Sequence, residues 1–418
     1  MAQTKPKASQ FYGVSGEGTA GQVLISDGNG GMSWGANTEN YTVSWATPTG
    51  QGLTYTQPSP QSSNGAPNDS FPSTTFTATS STSVISGTAT IAGLPTGITT
   101  SQSISGSGVG NVLTVTIGGV FPGADSLNTA LTISGLTLAT PVTVEYFAIG
   151  GGATGGSGSS GGGGGAGGLY TGNHSFSSSD SATITIGAGA TGRNGSSYGN
   201  AGSDTTITGA FSITAGGGQG NTTTQHGGDS GTGSSGYPVK TGGTPYNHGA
   251  NQYLDGGGAG IGANGENGSS TNQNKGADGG VGTSDFSAWA VATSTGEDVS
   301  GTRYYGGGGG AFGWQRNVSN TCGNNWDCST GQGGSGGGGN GMVYGSTSSS
   351  DLTASNGLAN TGGGAGGGSN TSNGVGSGGS GICIMRYSGA QAATGGTIVT
   401  TGGYTYHTFT ASGTFTKT

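Results

Sequence analysis

The chain has 418 residues, of which 101 are glycine and only 6% are charged, with a formal net charge of −8. Few charges spread thinly leave no basic patch to follow a phosphate backbone, which argues against nucleic-acid binding. No apolar stretch approaches the roughly 20 residues of a membrane-spanning helix, and Met1 to Lys7 has no apolar run behind its two lysines, so neither membrane insertion nor a secretory signal is expected.

Glycine gathers into runs, such as Gly306 to Gly310, that alternate with ordinary strand-like sequence. Composition alone reads this as flexible linker, because glycine loses more backbone entropy on ordering than any other residue. Disordered chains, however, usually carry abundant charge and few aromatics. Here there are 15 tyrosines, 11 phenylalanines and 5 tryptophans to pack. Ordered glycine-rich structure is therefore favoured. Ser, Thr, Asn and Gly dominate and no window sustains a 3.6-residue apolar period, so the expected fold class is all-β, made of strands and extended coil.

Three regions follow in chain order. In the first, about 1–37, Gln22 to Ser26 reads as a strand, Asp27 to Gly31 as a tight turn, and Met32 through Trp34 as the return strand. Such a hairpin is too small to be stable alone. Its string GTAGQVLISDGNGGMSW resembles the AGQVL-x-S-(D/N)-G-x-G-x-x-x-W segment of bacteriophage tail fibres. The resemblance implies a virion-attachment or trimerisation role, with Val23, Leu24 and Trp34 as the packing residues, other virion tail proteins as partners and a homotrimer as the assembly.

The second region, about 38–141, alternates with period two at Tyr41, Val43 and Trp45, again over Val112 to Ile117, and finally over Leu131 to Leu138. Turn clusters separate these runs, which suggests an immunoglobulin-like β-sandwich.

The third region, 142–418, opens with Val142 to Ile149 running straight into Gly150, and its glycine tract closes at Gly381 before Ile382 to Tyr387. Placed side by side, these two apolar strands would form a base for the glycine segments. The pair is similar to the V-x-Y-x-x-x-GGG and GGSGI-x-I-x-RY flanks of the glycine-rich domain in phage tail-fibre tips and adhesins. Gly402 to Thr416 resembles the GGY-x-x-HTFT-x-SGTFT element of the same proteins and is expected to form a C-terminal β-hairpin.

Within the tract, runs near 150–168, 256–268, 306–313, 331–341 and 362–381 suit packed polyglycine-II helices. Such helices have three residues per turn and no internal hydrogen bonds, so their amides must pair with neighbouring backbones, which can approach only where no Cβ intervenes. Gly216 to Gly220 is a shorter candidate. The strict period of collagen is absent.

Loops at 219–255, 269–305, 314–330 and 342–361 carry the candidate receptor-binding rings Tyr237, Tyr246, Trp289, Tyr304, Tyr305, Trp314, Trp326 and Tyr344. Aromatic rings on polar loops grip sugars or protein surfaces, or equally pack over glycine backbone as local core. Cys322 and Cys328 could close a small loop around Trp326 or remain thiols, while Cys383 reads as a buried strand residue. No metal site or cofactor is expected. The Gly333 to Gly337 match to G-x-S-x-G lacks a strand-to-helix context, and the four histidines are dispersed, so no enzyme is expected. The resemblances imply a virion fibre or adhesin whose partner is a host cell-surface receptor, either polysaccharide or outer-membrane protein. A structural collar, neck or capsid fibre is the alternative.

Overall fold

A computed structural model describes residues 22–26, 32–36, 39–45, 54–56, 61–65, 70–93, 97–106, 109–120, 128–158, 161–177, 180–192, 198–221, 225–247, 253–269, 275–313, 330–342, 353–369 and 374–418. The chain divides into two compact units, Met1–Pro141 and Val142–Thr418.

In the first unit, Gln22–Ser26 and Met32–Ala36 pair antiparallel with Leu24 opposite Trp34. One four-stranded sheet has the order Thr54–Thr56, Ser70–Thr79, Val112–Val120, Ile98–Ser105. A second has the order Gln61–Gly65, Glu39–Trp45, Asn128–Ser134, Thr90–Ala92, and its two middle strands run parallel. Period-two alternation sends Leu113, Val115 and Ile117 into a core with Phe76, Ala78, Ile85 and Ile98. The stretch Leu131 to Leu138, expected to be one strand, is broken. Gly135 sits at φ +78° with the Thr88 carbonyl only 3.0 Å from where a Cβ would stand, and Thr137–Ala139 pairs instead with Val84–Ser86.

The second unit is built on two five-stranded antiparallel sheets. The first has the order Leu169–Phe176, Val142–Ile149, Ile382–Ser388, Tyr404–Phe409, Thr397–Thr401. Val142–Ile149, hereafter the opening strand, thus lies directly beside Ile382–Ser388, the closing strand, with Ile149 opposite Ile382. The second sheet has the order Ile213–Ala215, Thr205–Gly209, Ser181–Thr185, Gly413–Lys417, Ala393–Thr394. Val144, Tyr146, Ala148, Cys383, Met385 and Phe409 of the first sheet share a core with Ile184, Ile207, Ile213 and Phe415 of the second.

The opposite face of the first sheet is also covered. Phe147, Ile149, Ile382, Ile384 and Tyr406 form another core with Trp289 and Ala290 of the one described helix, Ser287–Thr293, and with Tyr305. Burial on both faces explains why the opening and closing strands read as near-continuous apolar runs.

Gly402 to Thr416 does not close on itself as the expected hairpin; a C-terminal hairpin forms one strand earlier, where Thr397–Thr401 and Tyr404–Phe409 pair antiparallel across Gly402 and Gly403. Tyr404–Phe409 pairs with the closing strand, whereas Gly413–Lys417 pairs with Ser181–Thr185 in the other sheet. Phe409 and Phe415 therefore meet the same core from opposite sheets, and burying both rings outweighs local pairing. His407 is buried in this region. Its Nδ1 donates to the Gly395 carbonyl at 2.7 Å, which leaves Nε2 to accept from the Tyr387 hydroxyl at 3.1 Å; that hydroxyl in turn accepts from the Ala392 amide at 2.9 Å.

The glycine runs are extended rods paired through their backbones. As the opening strand ends, its ladder changes from two-residue to three-residue spacing: the amides of Gly150, Ala153 and Gly156 donate to the carbonyls of Gly168, Gly165 and Gly162. The rod 306–313 shows the full pattern. The amides of Gly307, Gly310 and Gly313 reach Gly336, Gly339 and Met342; those of Gly308 and Ala311 reach Gly280 and Ala277; those of Gly309 and Phe312 reach Gly164 and Gly161. Its carbonyls accept from three further segments, at Gly364 and Gly367, at Gly334 and Gly331, and at Ile261 and Gly258. Three donor and three acceptor directions per turn give six neighbours, which is the hydrogen bonding of packed polyglycine-II helices. Gly216 and Gly218 also join, donating to Thr232 and Gly151.

Segments expected to be loops are also rods. Gly228 and Gly231 donate to Gly163 and Ala166, and Gly279 and Gly282 donate to Gln332 and Ser335. Glycine is needed where a rod faces a neighbouring carbonyl: a Cβ on Gly309 would stand 1.9 Å from the Ala365 oxygen. Elsewhere methyl groups fit, since Ala153, Ala166, Ala259, Ala311 and Ala365 are all fully buried.

Two outcomes follow for stability. Gly309→Ala must push a backbone apart and should destabilise the second unit by about 3 kcal/mol, whereas Gly236→Ala, with nothing within 4 Å of the new Cβ, should leave the melting temperature nearly unchanged; equal melting temperatures for the two variants would contradict the rod packing. Burial holds the His407 pKa below its ordinary value of 6.5, an effect that the Gly395 carbonyl offsets only in part. The unfolded chain therefore takes up this proton first as pH falls, and stability present above 6.5 is lost from there down toward the folded-state pKa, by at most about 1.4 kcal/mol per pH unit. Urea unfolding at neutral and mildly acidic pH should show this loss, and His407→Gln should flatten it.

Candidate functional site

The helix Ser287–Thr293 and the segments beside it organise the side chains of greatest functional interest. Phe286 precedes the helix and packs with a tilted ring against Phe147 of the opening strand at 4.4 Å between centroids. Trp289, one turn on, lies 5.6 Å from Phe147 and 5.4 Å from Phe286. Tyr305 lies 5.3 Å from Phe147, and its hydroxyl is 2.6 Å from Thr295 Oγ1. Burial pushes the Tyr305 hydroxyl up to about 12, against the opposing pull of the Thr295 hydrogen bond and the Arg303 charge.

Arg386 of the closing strand clamps this group. Its guanidinium sits 4.2 Å from the Trp289 ring and 4.1 Å from the Tyr404 ring, and Nε donates to Glu145 Oε2 at 2.7 Å. The Glu145 side chain is half exposed, so the ion pair alone contributes little. Contact with two aromatic faces is the larger effect. Arg386 thereby ties the helix to the sheet.

At the outer edge of the same aromatic chain, Tyr237 lies 6.5 Å from Phe286 and donates its hydroxyl to Asp285 Oδ2 at 2.7 Å. Burial first, and the hydrogen bond to Asp285 second, raise the Tyr237 pKa, so the phenol stays protonated as donor. Beside this pair is a cavity of about 320 Å³ lined by Tyr237, Pro238, Lys240, Ile261, Thr283 and Asp285 among others. The hydroxyl of Thr283 accepts from the Asp285 amide at 3.2 Å and so fixes the backbone of Asp285.

The sequence-derived candidates therefore separate. Trp289 and Tyr305 are core residues, 8% and 0% exposed, and their rings leave the recognition set because sheet and helix enclose them. Tyr237 is half-buried at the cavity. Tyr304 is half-buried in the short strand Thr302–Tyr304, and Tyr246 is 39% exposed in the strand Tyr246–Asn247. Trp314, Trp326, Tyr344, Cys322 and Cys328 lie outside the described residues. So do the side chains of Val23, Leu24 and Trp34, although their backbones form the hairpin. Cys383 is fully buried in the core shared by the two five-stranded sheets, and burial raises its thiol pKa.

Lys240 and Asp285 are not among the residues singled out from sequence, and Arg386 enters there only as the arginine of the GGSGI-x-I-x-RY flank. One signal was available: with only 9 basic residues in 418, each lysine or arginine inside the glycine tract is informative.

A family model described as a glycine-rich domain matches residues 128–388, well over half of the chain. The chain belongs to the glycine-rich domain family. The match spans the opening and closing strands and the rods between them, and it begins upstream of the second unit, at the strand Asn128–Ser134. No curated protein and no solved structure matches.

Because the clamp in this glycine-rich domain sets one delocalised guanidinium over two rings while it also bonds Glu145, Arg386→Lys should keep the charge yet lower stability by about 1 kcal/mol. Amide exchange over 287–293 should speed up in the same variant; unchanged exchange there would remove Arg386 from its tethering role.

Proposed function

We propose that the chain is a virion fibre or adhesin that binds a bacterial surface receptor through side chains carried between the rods of its glycine-rich domain. The observation that carries this reading is the placement of Tyr237, Tyr246 and Tyr304, which stay exposed or half-buried on segments carried between the rods of a hydrogen-bonded backbone bundle. Rings held in this way lose little entropy on binding. Trp314, Trp326 and Tyr344 complete the proposed set. The resemblance of residues 18–34 to tail-fibre attachment segments supports a place in the virion, with other tail proteins as neighbours and a homotrimer as the assembly. The receptor is a polysaccharide or an outer-membrane protein.

Purified protein added to host bacteria before infection should occupy the receptor and slow virion adsorption. The triple variant Y237A/Y246A/Y304A, checked for an unchanged melting temperature, should lose at least about tenfold in that competition. Full competition by the folded triple variant would exclude these rings from the contact surface. Wild-type protein that neither binds the cells nor competes would exclude the recognition role altogether and leave a structural fibre.

A further inference from the structure

The inner and outer rods of the bundle satisfy their amides in different ways. In the rod 306–313 every amide donates to a backbone carbonyl of a neighbouring segment. On outer rods, side chains take the place of that carbonyl. Asn264 Oδ1 accepts from the Thr241 amide at 3.1 Å, and Asn267 Oδ1 accepts from the Thr244 amide at 2.8 Å. Asn356 and Asp278 cap the amides of Ser377 and Gln332 in the same way, each through Oδ1 at 2.8 Å. In all four cases a glycine follows the capping residue, and its amide donates to the carbonyl of the residue being capped. Gly265 reaches Thr241, Gly268 reaches Thr244, Gly357 reaches Ser377 and Gly279 reaches Gln332. Thr241, Thr244 and the three asparagines are exposed, so this is the rim of the bundle. Asp229, Glu266 and Asn340 cap three more amides there.

Contact between two rods needs donors on one and acceptors on the other. The rod 306–313 meets its neighbours in a single sense each, giving amides to three segments and carbonyls to three others. That contact uses no side chain, so a rod from any copy of the chain could make it. A rim with free amides would therefore be a template for another molecule, as an unprotected sheet edge is. Thr241 and Thr244 are the critical pair, because they are three residues apart, the spacing at which Gly307, Gly310 and Gly313 meet one acceptor segment. Capping the donors closes both halves of the contact. Copies are identical, so a rim carbonyl turned to solvent meets a rim whose amides are already occupied.

From this pattern we infer that the Asn-Gly and Asp-Gly pairs of the rim are a barrier that keeps the glycine rods of a second copy from adding to the bundle. The side chain occupies the outward amide, and the glycine that follows lets the two rods approach closely enough for it to do so. The barrier is independent of the recognition role.

The test compares the full wild-type chain with N264A/N267A, which frees two amides on one rod, and with N264D/N267D, which keeps both acceptors. Light scattering is measured in salt high enough to screen the added carboxylates. As concentration rises about tenfold, the folded alanine variant should reach a mean mass at least about twice that of wild type, while the aspartate variant keeps the wild-type mass. In dilute solution the Thr241 and Thr244 amides of the alanine variant should exchange faster. A folded alanine variant that keeps the wild-type mass at every concentration overturns the inference. So does association without faster exchange at those two amides, or equal association of the aspartate variant. Should N264A/N267A fail to fold, Asn356→Ala frees the Ser377 amide on a different pair of rods and is held to the same comparison with Asn356→Asp.

Discussion

Backbone hydrogen bonding between rods, repeated every third residue, is the constraint on which the second unit depends. Each amide in such a rod points to a different neighbour from the one before, so a rod is held only when surrounded. The run 306–313 meets this condition with six neighbouring segments. Side chains contribute almost nothing to the contact, and a Cβ on Gly309 would displace it. Glycine is therefore required by geometry, although each ordered residue costs about 1–2 kcal/mol of backbone entropy against a net gain of roughly 0.5–1.5 kcal/mol for each hydrogen bond.

Those two quantities nearly cancel, which explains the rest of the architecture. The rods cannot hold themselves together as a free-standing bundle and must be fastened to something that buries apolar surface. The opening and closing strands supply the fastening. They lie side by side, share one core with the second sheet and another with the helix, and lead directly into the first and out of the last glycine segments. The Arg386 clamp and the His407 network stiffen the same sheet. Chemistry is then concentrated where the bundle meets the helix, at the edge that carries Tyr237 and Asp285.

Much of this was legible in the sequence. Val142 to Ile149 and Ile382 to Tyr387 are apolar on both alternating faces, and glycine clustering marked the principal rods. Other features were hidden for physical reasons. The glycines of the rods through Gly228 to Gly231 and Gly279 to Gly282 come in short groups broken by Asp229, Ser230 and Val281, because only positions facing a neighbouring carbonyl need glycine, and so no long run marks these rods. Whether Tyr404–Phe409 and Gly413–Lys417 close on each other or diverge depends on partners more than 200 residues upstream, at Ser181–Thr185. Trp289 stands among small apolar residues, Ala288, Ala290, Val291 and Ala292, but the seven-residue helix that turns it inward is too short to announce itself. Asp285 and Lys240 come together from separate segments, and no local pattern signals that meeting.

The rods have one more consequence, which concerns how this molecule would look to a spectroscopist. Their extended backbone without internal hydrogen bonds is the conformation that unfolded chains favour. Optical methods that sort backbone angles would therefore count the bundle as coil, alongside the strands of the sheets. Its amides tell the opposite story, since those of Gly163 to Gly168 are all hydrogen-bonded between neighbouring segments and belong to fully buried residues. Here order is written in solvent protection and not in helix or sheet content, so circular dichroism and amide exchange would disagree about the same residues.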